Sequence, residues 1–82
     1  MREFEIGERV TVANDYFNYD MLPSPPIGIV VDNYTSMESV GIQFDQPFYG
    51  GHNCRGHCLE GRGRYIGIAY IVRHTTTFEI LL

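Results

Sequence analysis

The sequence predicts an all-β domain, a small five-stranded barrel, from three observations. Apolar residues either alternate with polar ones or fall in short runs of strand length. No segment repeats its apolar residues with the period of a helix. Clusters of Gly, Pro, Asn and Asp punctuate the runs. A closed or half-open barrel limits the exposed edges of such a sheet. The 82 residues make one domain, residues 1–82. So short a chain buries a modest fraction of its surface, and a metal or crosslink matters more to it than to a large protein.

The elements follow in order. Arg9-Val10-Thr11-Val12 alternates as a half-buried strand does, after a turn at Gly7. Residues 14–26 carry three aromatics and three prolines among polar residues, and proline cannot donate to a ladder, so they form a loop. Ile27 to Asp32 is apolar strand material with Ile27, Ile29 and Val31 on one face. A turn within Asn33 to Ser39 leads to Val40-Gly41-Ile42-Gln43-Phe44, whose Val40, Ile42 and Phe44 should face the core. Residues 45–64 form a long connection holding five of the nine glycines. Connections of this length usually carry a function or a stabilising device. Tyr65 to Val72 is a fourth strand-like run that can hold a helical turn, and Thr75 to Leu82 is the fifth strand, with Phe78, Ile80 and Leu82 on one face.

The opening, with Phe4, Gly7, Val10 and Val12, resembles the first strand of SH3-like barrels, including KOW-type modules. The segments GIVVD and VGIQFD resemble their second and third strands. The stretch from Gly51 through His52, Asn53, Cys54, Cys58, Gly61 and Gly63 to Tyr65 resembles a recurrent element of small phage and prophage proteins. That resemblance implies an SH3-like barrel of phage or prophage origin. Some phage proteins of this size inhibit host or CRISPR–Cas machinery, an analogy of size and source.

Two histidines and both cysteines fall between His52 and Cys58. Structural zinc takes about four N/S ligands in a tetrahedron. Cys54 and Cys58 can wrap one ion from one loop, with Gly50, Gly51 and Gly56 supplying backbone freedom. His52 is the next ligand, then His57, with His74 as the alternative fourth. Two other readings stand beside zinc: a Gly-rich turn whose Cys and His simply pack, and a Cys54–Cys58 disulfide. A cytoplasmic setting, expected because MREFEIGERV has no apolar signal region, favours a metal over a disulfide. Four protein ligands would make the zinc structural, and no general base stands beside the cluster except Glu60, so catalysis is not expected.

The net charge of −4 argues against a broad nucleic-acid footprint. All six cations are arginines, and residues 51–82 carry four of them against two carboxylates. Arg55, Arg62 and Arg64 can form a small basic patch, or can be solvated residues keeping a Gly-rich loop soluble. Tyr16, Phe17 and Tyr19 lie in an otherwise polar loop, and at least one should be exposed to anchor a partner. Phe48 and Tyr49 should pack beneath the Cys/His loop. No run is long enough to span a membrane.

The leading expectation is a zinc-stabilised protein-binding module acting in the bacterial cytoplasm. In its sharpest form it is an inhibitor of a defence complex such as a CRISPR effector, with a nucleic-acid-binding host or Cas protein as partner. A KOW-like nucleic-acid module is the alternative, and a small zinc hydrolase ranks last. The sequence leaves the oligomeric state open.

Overall fold

Val10, Val12, Val40, Ile42 and Phe44 recur at every second position because one face of each strand meets the core, and Gly41 between two of them is buried as well, on the opposite face. The computed structural model describes residues 4–34 and 38–74. It shows five strands: β1 Arg9–Val12, β2 Ile27–Tyr34, β3 Ser39–Phe44, β4 Gly63–Gly67 and β5 Ile71–Arg73. They form one antiparallel sheet in the order β4-β3-β2-β1-β5. There is no α-helix among the described residues, only 3-10 turns at Tyr19–Met21 and Ile68–Tyr70.

The sheet curls because its two ends are joined by one short turn. Four strand spacings laid flat span about 19 Å. The Ile68–Tyr70 turn links β4 directly to β5, and so short a connection reaches about 14 Å at most. The edges must therefore bend toward each other around the core. That core holds Val10, Val12, Val30, Val40, Ile42, Phe44, Ile66 and Ile71 from the strands, plugged by Phe4, Tyr16 and Leu22.

Strand β2 departs from the expected faces. Val30 is fully buried, whereas Ile27, Ile29 and Val31 are only partly so. A bulge between Val30 and Asp32 then shifts the register. Strict alternation would place Asp32 on the same face as Val30, toward the core. The bulge instead pairs Asp32 with Gly41, which also pairs with Tyr65. The extra residue thus turns a carboxylate onto the outer face, where a bulge commonly re-aims a side chain.

The five-strand count comes from a different division of the chain. The apolar run at 65–72 is split by its helical turn into the end of β4 and most of β5. The strand expected over Thr75 to Leu82 lies outside the described residues.

Candidate functional site

The long connection folds back over the outer face of the sheet. His52 and Gly63 exchange backbone hydrogen bonds of 2.8 and 2.7 Å, an isolated antiparallel bridge that closes the loop at its base. Within it, Asn53 organises a tight turn. Its carbonyl accepts from the N–H of Gly56 and of Cys58, each at 3.0 Å, and its Oδ1 also accepts from Gly56 at 3.2 Å. Cys54 (φ 49°), Arg55 (φ 56°) and Gly56 (φ 90°) are consecutive left-handed residues, a conformation costing the two non-glycines roughly 1–2 kcal/mol each. The surrounding contacts must offset that cost.

Asp32 supplies the main ones. Its Oδ2 accepts a short hydrogen bond from the Tyr65 hydroxyl, lies 3.3 Å from Arg55 Nη2 and 3.8 Å from His57 Nε2. The His52 ring stacks on Tyr65 at 5.8 Å between centroids, and Arg55 also approaches that ring, at 5.9 Å. Desolvation, followed by the bond to Asp32, pushes the Tyr65 hydroxyl up to about 12. Gln43 Oε1 accepts from the N–H of Leu59 at 3.2 Å and holds the far side of the turn.

The two cysteines do come together. Cys54 is fully buried, with its Sγ over Gly41 and 3.9 Å from the Ile42 carbonyl. A Cβ on Gly63 would overlap both sulfurs, so glycine at this strand position is what makes room for the pair. The thiols are free, and both sulfurs lie in one niche over Gly63. Burial pushes Cys54 up to about 12, with the neighbouring Cys58 adding to it; burial also raises Cys58.

The histidines are turned to other work. His52 Nδ1 accepts the Cys54 N–H at 2.9 Å, so its ring proton sits on Nε2 and neither nitrogen presents a free lone pair in this arrangement. His57 faces Asp32. His74 extends the β1–β5 ladder through its N–H to the Arg9 carbonyl, at the other end of the strand order from β4. Of the expected zinc ligands Cys54, Cys58, His52 and His57, the structure brings the two sulfurs to one point. Among the described residues no group of three or more His, Cys, Asp or Glu side chains is arranged around a common centre for a metal.

The aromatic residues divide sharply. Tyr16 is buried against Tyr70, edge to face at 5.3 Å, and Tyr19 is half-buried on the core. Phe17, 5.5 Å from the Tyr16 ring, is 86% exposed. Neither Phe48 nor Tyr49 lies beneath the Cys/His loop: Phe48 packs edge to face on Phe44 at the core, and Tyr49 is 85% exposed. Positions 49–51 form a turn in which Gly51 donates back to the Phe48 carbonyl, and this carries Tyr49 outward.

The three arginines serve three separate anchors. Arg55 is held at Asp32, and Arg62 donates to the Asp45 carbonyl at 2.6 Å. Arg64 Nε donates to the Tyr16 hydroxyl at 3.3 Å, and its Nη1 reaches Gly50, beside Tyr49. Arg64 is therefore bonded to the aromatic loop and lies beside the long connection at Gly50. Sequence reasoning missed Asp32 and Tyr65 as the hub of the outer face. The available signal was Gly41 inside an alternating strand, which marks a close approach.

The family described as the Xrn1 SH3-like domain matches residues 2–81, and the chain belongs to it. The SH3-like fold expected from the opening strands is thereby shown. No protein with a curated description and no solved structure matches the chain. No helix among the described residues is long and apolar enough to cross a membrane.

Proposed function

We propose that this chain is a protein-binding module whose contact face lies where the 14–26 loop meets the 45–62 connection. SH3-like domains typically mediate protein or nucleic-acid interactions. The observation that carries the protein reading is the pair of exposed aromatics, Phe17 and Tyr49, reached from two sides through one buried support. Tyr16 packs under Phe17 and receives Arg64, whose guanidinium reaches the turn bearing Tyr49. Exposed aromatics and arginine are the residue types that anchor interfaces. Arg55 and Arg62 are tied down elsewhere and the chain is net acidic, which favours a protein partner over a nucleic-acid backbone.

Tyr16 contributes as support and Phe17 as contact. The narrower reading, a phage-derived inhibitor of a bacterial defence complex such as a CRISPR effector, draws its support from the likeness of residues 51–65 to small phage proteins. An interference assay with and without the chain tests it.

A photoreactive residue at position 17 or 49, compared with one at exposed Val72, tests the face. A specific protein crosslinked from 17 and 49 but not from 72 is the expected result. Phe17→Ala and Tyr49→Ala should each weaken binding of that purified protein by roughly tenfold or more. Equal crosslinking from all three positions, or nucleic acid as the captured species, would contradict the proposal.

A further inference from the structure

We propose that Cys54 and Cys58 form a redox modification site, a dithiol that a low-molecular-weight disulfide converts to an intramolecular disulfide. The inference rests on the outer-face turn and is independent of the Phe17–Tyr49 face.

The turn that bonds both Gly56 and Cys58 N–H to the Asn53 carbonyl brings the two cysteines to the same side, and both sulfurs settle over Gly63. A disulfide requires a short Cα separation and converging Cβ vectors, and here both sulfurs lie within 2.6 Å of the point a Gly63 Cβ would occupy, so the two side chains already converge. The competing use, a four-ligand zinc centre, requires two more donors at that point. His52 Nδ1 accepts the Cys54 N–H and His57 is directed at Asp32. Recruiting either one breaks a contact that holds the turn, whereas joining the two sulfurs gives up only weak thiol-to-carbonyl contacts, from Cys54 Sγ to Ile42 at 3.9 Å and from Cys58 Sγ to His52 at 3.7 Å and Leu59 at 3.4 Å.

Access sets the order of events. Cys58 is partly exposed and Cys54 buried, so Cys58 reacts first. It loses its proton to solvent and attacks one sulfur of the small disulfide, releasing one thiolate and leaving a mixed disulfide on Cys58. Cys54 Sγ then attacks the Cys58 sulfur, the Cys54–Cys58 bond forms, and the second small thiol leaves carrying the Cys54 proton. The protein is oxidised by two electrons and one disulfide is reduced to two thiols. Partial burial holds the Cys58 thiol protonated and slows the first step, so the site should respond to sustained oxidising conditions and not to brief exposure. Closure locks the left-handed run at 54–56 inside a covalent ring within the turn.

The test uses the full chain and oxidised glutathione, read by intact mass with and without thiol alkylation. The expected product is a monomer two hydrogens lighter in which neither cysteine alkylates, with Tm raised by about 5–10 °C over the reduced form. Cys58→Ser, altered at the more accessible thiol, should give neither crosslink nor glutathione adduct. A persistent glutathione adduct on Cys58, a dimer linked through cysteine, or two thiols that stay reduced would overturn the proposal. So would a bound metal, found by elemental analysis, that protects both thiols until it is chelated.

Discussion

The two long loops of this domain are held by opposite means. The 14–26 loop is anchored by apolar burial: Tyr16 and Leu22 enter the core and Tyr19 packs against it. The 50–62 segment contributes one fully buried side chain, Cys54, and is otherwise held by directed polar contacts to Asp32, Tyr65, Gln43 and the Gly63 backbone. Apolar burial is insensitive to direction and charge, so it tolerates the proline-rich route of the first loop. Polar contacts fix geometry and allow the second loop its strained turn, but each depends on a protonation state or a precise approach. Arg64, bonded to Tyr16 and lying beside Gly50, stands where the two loops meet.

Tyr16→Ala should have the largest effect and fall on the apolar side of this comparison. Removing a buried aromatic ring costs about 3–4 kcal/mol, measurable by urea denaturation. Tyr16→Phe, which removes only the hydroxyl that accepts from Arg64, should cost about 1 kcal/mol. Equal losses in the two variants would mean that the hydroxyl, not the ring, anchors the loop.

Gly63→Ala strikes the polar side. Its Cβ would meet both sulfurs and the His52 carbonyl, 2.8 Å away, and a carbonyl in a bridge cannot withdraw cheaply. A loss of about 2–3 kcal/mol is expected, with the thiols becoming quick to alkylate. Unchanged alkylation would show that the sulfurs do not share that niche.

The smallest effect concerns pH. Cys54 ionises near its ordinary 9.0 when unfolded but at about 12 when folded, and Tyr65 moves from 10.0 to about 12. The folded state holds both groups neutral. Their contribution is complete below about pH 9 and is lost as pH rises from there through about 12. Denaturation midpoints should fall between about pH 8 and pH 10.5, less steeply in Cys54→Ser. A flat profile would contradict the burial of that thiol.

What the sequence made legible follows from periodicity and spacing. Val40, Ile42 and Phe44 face the core because alternation alone dictates it. Four residues of separation within a Gly-rich turn sufficed to anticipate that Cys54 and Cys58 could meet. The faces of β2 were not legible: Ile27 to Val31 is apolar on both faces, pairing with Phe44 and Ile42 turns Gly28 and Val30 inward, and the bulge that then re-aims Asp32 leaves no local mark. The run at 65–72 reads as continuously apolar, and its break reflects the need to join the sheet's two edges. The roles of His52 and His57 depend on the Cys54 N–H and on Asp32, and the latter is 20 or more residues distant in sequence. Which of Tyr16 and Phe17 turns inward is decided by Tyr70 and Arg64, both remote.

The central claim is that Asp32 clips the 50–62 turn onto the sheet. Amide hydrogen exchange on Asp32→Asn, beside the wild type at neutral pH, tests it most directly. The amides of Gly56, His57 and Cys58 should lose protection by about tenfold, as removal of a charge-assisted anchor implies, while those of Tyr16, Tyr19 and Met21 stay as they were. Unchanged protection at 56–58, or equal loss in both loops, would contradict the account.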